Sequence, residues 1–223
     1  DAVSARILGI GKDGGLVGTA SAGDEITVVL DRTSFYAESG GQIGDTGVIE
    51  GNAAVLEVLD TKKKNGKFLH KCVVKSGTVQ TGDAVTTRID AERRQAIRRN
   101  HSSVHLLQAA LRNVLGSHVA QAGSYVSEDR MRFDFSHFEA MTPEELRQVE
   151  AQVNQKILED IPIECFEKPL DEARKMGAVA LFSEKYGSRV RVVKMGDYSI
   201  ELCGGTHAAS AGKLGLFLSL IHI

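Results

Sequence analysis

Up to about residue 90 the apolar positions fall in short β-branched runs, residues 3–8, 26–30, 55–59, 68–74 and 84–89, cut by glycine pairs such as Gly14-Gly15 and Gly40-Gly41. Runs of this length between turn residues predict strands closing into a small barrel. From Ala91 the apolar period lengthens. Ile97, Val104, Leu107, Leu111 and Leu115 share one stripe at helical spacing, with Gly116 as its stop. A second helix is signposted by Thr142 as N-cap, Pro143 in the first position and Glu145 three residues after the cap, followed by Leu146, Val149, Val153 and Ile157, with Pro162 beyond its end. A short helix over 170–176 closed by Gly177 and two strands, 189–194 and 198–202 around a Gly196-Asp197 turn, complete the pattern. The fold class expected is α+β: a β-barrel-like part at 1–90, a two-layer α/β sandwich at 91–216 that packs helices on antiparallel strands, and an atypical tail at 217–223. The lysine tract 62–64 reads as a solvated loop.

Composition narrows the function classes. The chain has 223 residues, 42% of them apolar and 25% charged, with a formal net charge of −2. This is ordinary globular composition, sufficient for a core without staples. Three widely spaced cysteines, Cys72, Cys165 and Cys203, argue against a disulfide framework and for a reducing cytoplasm. No basic segment followed by an apolar core opens the chain, and no run of about 18 apolar residues occurs, so neither secretion nor a membrane partner is expected. Near-neutral charge excludes a generic polycation and gives no reason to expect DNA binding. Any RNA contact must therefore be local. The candidate is residues 88–99, where Arg88, Arg93, Arg94, Arg98 and Arg99 against Asp90 and Glu92 leave a net +3, although such a run also suits a solvated helix face.

Two constellations carry chemistry. His101-Ser-Ser-Val-His105 spaces two imidazoles one helical turn apart. Counting from Ile97 at about 100° per residue, they stand at about 40° and 80°, at the border of the apolar stripe. Taken alone, they are equally well two helix-surface histidines. Cys203-Gly204-Gly205-Thr206-His207 follows the last expected strand, and its double glycine lets the backbone bend so that thiol and imidazole turn toward one point. Together the motifs offer three nitrogens and a thiolate, the donor set and coordination number Zn²⁺ prefers. A closed four-ligand zinc is structural, and a catalytic one needs an open position; spacing alone leaves both open. A Cys203–His nucleophilic dyad leaves the paired histidines without a task, and HExxH chemistry is absent because Ser102 stands where its Glu belongs. Glu201, two residues before Cys203, is either a partner of the site or a surface carboxylate. A further dense segment, Thr33 to Gln42 with Asp45, reads as a polar turn or as a ligand-facing loop in which Gly40 and Gly41 allow close approach and Thr33, Ser39 and Gln42 offer hydrogen bonds.

Thr33-Ser-Phe-Tyr-Ala-Glu-Ser-Gly-Gly-Gln42 with Asp45, Asn100-His101-Ser-Ser-Val-His105, Arg132-Phe-Asp-Phe-Ser-His137 and Glu201-Leu-Cys203-Gly-Gly-Thr-His207, in this order, resemble the editing domain of bacterial alanyl-tRNA synthetases. More loosely, they resemble the AlaX trans-editing proteins and the threonyl-tRNA synthetase editing domain. Tyr36-Ala37-Glu38-Ser39 favours the synthetase over AlaX. The resemblance implies one zinc ion held by His101, His105, Cys203 and His207, with Cys203 and Gln121 in the catalytic pocket. The implied activity is hydrolysis of seryl- or glycyl-tRNA(Ala) at the charged 3′ end, in the cytoplasm, without the ATP-dependent aminoacylation core, whose motifs are absent; the remaining synthetase domains would be its partners. Under that activity the polar, glycine-containing segment offers contacts to substrate from Thr33, Gly40, Gly41 and Gln42, and the local positive charge offers contacts to RNA from Arg98 and Arg99. Two departures stand out. Ser103-Val104 replaces the commoner Ala-Thr between the histidines, and residues 217–223 leave the family pattern as a truncated frame or cloned fragment would, so His222 is not counted as a ligand. A free-standing trans-editing deacylase and a zinc-stabilised module without turnover are the alternatives.

Overall fold

The computed structural model describes residues 2–180 and 187–219. Two compact units divide it, one comprising the residues up to Ser39 with Ile43–Arg94, the other Gly40–Gln42 with the residues from Gln95 onward.

The first unit is built from β1 (Ala2–Lys12), β2 (Gly15–Val17), β3 (Thr19–Ser21), β4 (Glu25–Leu30), β5 (Gly47–Gly51), β6 (Ala54–Lys64), β7 (Lys67–Gln80) and β8 (Ala84–Ile89). Strands β1, β4, β7, β6, β5 and β8 pair in that order, and β8 returns to β1, so six antiparallel strands close a barrel. Inward positions alternate along each strand, as in Ile26, Val28 and Leu30 of β4 and Ala54, Leu56 and Val58 of β6, and they fill the interior together with Ile7, Ile10, Ile49, Cys72, Val74 and Val85. All three cysteines are free, and burial pushes the Cys72 thiol up to about 12.

Two expectations change here. The lysine tract is not a loop: Asn65 and Gly66 adopt φ of 51° and 76°, a two-residue turn of the kind that suits strand twist, and Lys62, Lys63 and Lys64 pair with Leu69, Phe68 and Lys67 across it. The arginine run also loses a member. Arg94 is buried; its Nε lies 2.8 Å from Asp45 Oδ1, and its NH2 donates to Asp45 Oδ2 and to the Ser34 carbonyl. Arg88 pairs with Glu50 at 3.1 Å. The local +3 is thus reduced to +1 by two carboxylates more distant in sequence.

The second unit carries the chain of α1 (Ala91–Leu115) from Gln95 on, β9 (Ala120–Val126), β10 (Met131–Ser136), α2 (Pro143–Leu158), β11 (Ile163–Pro169), α3 (Leu170–Lys175), β12 (Val179–Ala180), β13 (Arg189–Met195), β14 (Ser199–Leu202) and a 3-10 turn (Ala211–Lys213). Strands run in the order β11-β13-β14-β12, with only the last pair parallel, and β9-β10 forms a separate hairpin. One face of the four-stranded sheet, with Ile163, Val193 and Met195, shares a core with Leu106 and Leu111 of α1 and Val149, Val153 and Ile157 of α2. The other face places Val190, Val192 and Leu202 with Ala173 of α3. The fold is α+β, as the periodicities predict. The capping box of α2 is complete, the Glu145 amide donating to Thr142 Oγ1 at 3.2 Å and the Thr142 amide to Glu145 Oε2 at 2.8 Å.

Seven strands escape the sequence reading: β2, β3 and β12, of two or three residues each, the barrel strand β5, the half-polar β9 and β10, and β11, whose Glu164, Glu167 and Lys168 hide an edge strand. The single-stripe view of α1 is also too narrow. His101, Ser102, Ser103, His105 and Gln108 are as buried as Ile97 and Leu111, because segments from several parts of the chain surround the helix. At the start of the tail expected from residue 217 onward, Phe217 is buried, with its amide 2.9 Å from Asn154 Oδ1 on α2. His222 lies outside the described residues. No described helix is long and apolar enough to cross a membrane.

Candidate metal centre

His101 and His105 project from α1 as the i, i+4 spacing dictates, and the loop after β14 brings Cys203 and His207 against them. The four donor atoms lie within 4.8 Å of one another. His101 Nε2 is 3.4 Å from Cys203 Sγ. Donors around tetrahedral zinc stand about 3.3 to 3.6 Å apart, so this pair already has that spacing and the rest lie within side-chain adjustment of it.

The fit to a metal rests on how each imidazole is held. His101 Nδ1 is 2.7 Å from Gln42 Oε1, His105 Nδ1 pairs with the Glu201 carboxylate, and His207 Nδ1 is 3.3 Å from Ser102 Oγ. With each Nδ1 engaged by an outer oxygen, Nε2 is the atom left to face the centre. His105 Nε2 and His207 Nε2 are buried with no hydrogen-bond partner among the described residues. Buried polar atoms seldom stay unsatisfied, and histidines ligating a metal through one nitrogen habitually donate from the other to such partners. The donor set suits zinc.

Local sequence explains the loop. Neither Gly204 nor Gly205 takes a left-handed φ, so the bend expected of the pair is not what requires glycine. A Cβ on Gly205 would overlap the His101 ring and come within 3.0 Å of Gln42 Oε1, whereas one on Gly204 meets nothing within 4 Å. Arg191 of β13 donates from NH1 to the carbonyls of Cys203 and Gly205, and its own carbonyl accepts from the Cys203 amide at 3.1 Å.

Electrostatics divide the donors. Burial works against a charged Cys203, but hydrogen bonding and charge from His101, joined by His105 and His207, hold the thiol well below its ordinary value. Burial likewise opposes a charged His105, yet Glu201 and the thiolate raise it to about 10; burial and the neighbouring histidines lower His207 to about 3. Without metal at pH 8 the cluster therefore holds a thiolate beside a protonated His105. Zinc uptake should release about one proton, from His105 Nε2, measurable by calorimetry in buffers of different ionisation enthalpy. Release of none would refute this charge distribution.

Comparison with known proteins follows the same residues. Residues 1–93 match the family model of tRNA synthetases class II (A), and residues 190–220, which contain Cys203 and His207, match the threonyl and alanyl tRNA synthetase second additional domain. An alanine–tRNA ligase of Acetivibrio thermocellus is 59% identical over 98% of this chain, and one of Bacillus subtilis 51% identical over 96%. The chain is related to a segment of the alanine–tRNA ligases. It spans about a quarter of the length of these curated relatives, 25% and 24%.

Within this ligase-related segment the other expected site residues separate. Gln42 is fully buried. Its Oε1 accepts from His101 and, at 2.9 Å, from the Thr206 amide, while its Nε2 donates to Thr206 Oγ1 at 2.9 Å. Its oxygen holds His101 and the Thr206 amide together. Gly41, with φ of 84°, lies against another strand: its carbonyl accepts from the Val126 amide at 2.8 Å, and a Cβ there would overlap Ser124. Gly40 precedes it with φ of 58°. Thr33 belongs to the first unit, its hydroxyl 2.8 Å from His70 Nε2 and accepting from the Phe35 amide at 3.1 Å. Arg98 is half-buried and Arg99 exposed on α1. Gln121 sits on β9 with its Nε2 buried and no partner among the described residues.

Sequence reasoning missed Ser102, Thr206 and Arg191 and left Glu201 undecided. Glu201 is buried beside His105, not on the surface. Its signal was the strand alternation; Ser102 and Arg191 carried none.

Proposed function

We propose that the chain is the editing segment of an alanine–tRNA ligase, a cytoplasmic aminoacyl-tRNA deacylase that hydrolyses the ester of serine or glycine mischarged on tRNA(Ala). The observation that carries this reading is the His101, His105, Cys203 and His207 cluster, each imidazole held from behind, in a chain so closely related to those ligases. An alanine site cannot strongly reject glycine or a side chain that merely adds a hydroxyl, since a methyl-sized difference is worth about 1–3 kcal/mol. A separate hydrolytic site is the physical remedy.

One zinc ion, when bound, supplies a Lewis acid for the ester carbonyl or for an attacking water. The protein's part is positioning. Gln42, Glu201 and Ser102 fix the three imidazoles, and Arg191 fixes the loop carbonyls. Cys203 alone of the four donors is not fully buried, so the 3′ end approaches from its side. The unpartnered amide of Gln121 serves as the donor that orients substrate or water. Water adds to the ester carbonyl carbon, the bond to the ribose oxygen breaks, and that oxygen leaves with a proton as the amino acid is released.

A closed four-donor set also favours a second reading, a structural zinc without turnover. The deciding experiment compares hydrolysis of Ser-tRNA(Ala) and Ala-tRNA(Ala) by the purified chain while quantifying zinc. The expected result is one zinc per chain and hydrolysis of the serine ester alone, both lost in the Cys203→Ala/His207→Ala variant. Zinc and deacylation surviving in that variant would end the zinc account; zinc without any hydrolysis would favour the structural reading.

A further inference from the structure

Outside the metal centre, the barrel has a feature that the proposed chemistry does not use. In the β6–β7 ribbon, cross-strand partners share a face: Lys62 with Leu69, Lys64 with Lys67, and Asp60 with Lys71. Strand alternation therefore gathers Lys62, Lys64, Lys67 and Lys71 on one side, while Lys63 turns to the other and lies over the Phe68 ring at 5.4 Å. The register continues this side across the sheet, through Thr27 and Val29 of β4 to Gly11 and Gly9 of β1. The result is a groove of 1070 Å³ lined by glycine backbone and by Thr27 and Leu69, in which Lys12, Lys62, Lys64 and Lys71 stand among Asp13, Glu25 and Asp60.

Four lysines against Asp13, Glu25 and Asp60 leave the groove lining with a net +1, and Lys67, on the same side of the ribbon, adds a further positive charge. Lys12 pairs with Asp24 at 2.8 Å, and Lys62 lies 3.5 Å from Glu38 and 3.7 Å from Asp60. Lys64, Lys67 and Lys71 are exposed and form no ion pair with a carboxylate among the described residues. Alternate residues on a strand stand about 6.6 Å apart, so Lys62 and Lys64 are spaced by about that distance and Lys67 and Lys71, with Leu69 between them, by about twice it, in two rows beside the glycines of β1. A flexible chain carrying one negative charge per repeat matches such rows. A compact apolar ligand does not.

We propose that this face of the barrel binds the phosphate backbone of RNA, tRNA under the functional reading above, on which that choice of partner rests. Lys64, Lys67 and Lys71 supply the phosphate contacts, and Gly9 and Gly11 let the strand approach closely. Contacts of this kind set affinity and are independent of sequence.

The test measures tRNA binding by the whole chain, by fluorescence anisotropy across a salt series, for the wild type and for K64Q/K67Q/K71Q. These side chains are exposed, so the substitutions leave the core intact. If three phosphate contacts are lost, the slope of log affinity against log salt becomes shallower by about 2 to 3, and affinity at low salt falls at least about 10-fold. Hydrolysis of a short aminoacylated 3′-end mimic should be unchanged. Equal affinity and slope in the variant overturn the proposal even if the chain hydrolyses Ser-tRNA(Ala). A lysine-dependent slope without any deacylation supports the groove and overturns only the functional reading. Polyglutamate displacing tRNA at equal charge concentration would assign the groove to an acidic polypeptide and overturn the RNA proposal.

Discussion

Gly205→Ala is expected to lose bound zinc almost completely, and Gly204→Ala to keep one zinc per chain. The two glycines are neighbours, and neither needs a positive φ, so backbone strain does not separate them. Space does. The added methyl at Gly205 falls in the volume of the His101 ring and crowds Gln42 Oε1; at Gly204 it meets nothing within 4 Å. Relief requires moving His101, a donor, or Gln42, which holds that donor's Nδ1 and the Thr206 amide at once. Disturbing an outer partner alone costs about 10- to 100-fold in metal affinity, and displacing the ligand as well should exceed the upper figure. Chelator competition reads the affinity, and metal analysis reads the stoichiometry. Gly205→Ala binding zinc with wild-type affinity would show that the loop is not packed against His101 as described.

The same loop shows what the sequence disclosed and what it did not. The donors were legible because their signals are local: a helical i, i+4 pair and a Cys-to-His segment after a strand. Thr142, Pro143 and Glu145 announced α2 for the same reason. The contact of Gln42 with His101 was not legible because the two lie 59 residues apart, and nothing at position 42 distinguishes an amide facing solvent from one locked behind an imidazole. Gly41 signalled a close approach, and the neighbour the structure places there is Ser124 of a second strand. In both cases the residue type was informative and the identity of the neighbour was not. Tertiary pairing also decided β9, β10 and β11, whose alternation is too weak to show before the partner strand is known.

The arginine run before the histidines illustrates the last kind of error, and it leads to a large effect on stability. Asp45→Asn is expected to destabilise the first unit by about 3 to 5 kcal/mol, the usual cost of removing one partner from a buried ion pair. Asp45 is 1% exposed and Arg94 8%. Besides the guanidinium, Asp45 Oδ2 accepts from the Tyr36 amide at 2.6 Å, and the Asp45 carbonyl accepts from Thr61 Oγ1 at 2.9 Å. The carboxylate thus ties the segment before the glycine pair to the start of α1. Its neutral replacement leaves a desolvated guanidinium facing an amide NH₂ or oxygen, and a domain stable by only about 5 to 15 kcal/mol loses much of its margin. Arg88→Ala is the contrast. It breaks the exposed pair with Glu50, 58% and 39% exposed, and should cost no more than about 1 kcal/mol. Urea unfolding of the zinc-saturated chain measures both. Combining Asp45→Asn with Arg94→Met should recover part of the loss, because the uncompensated charge disappears. If Asp45→Asn unfolds within about 1 kcal/mol of wild type, Arg94 is not held as a buried partner of Asp45.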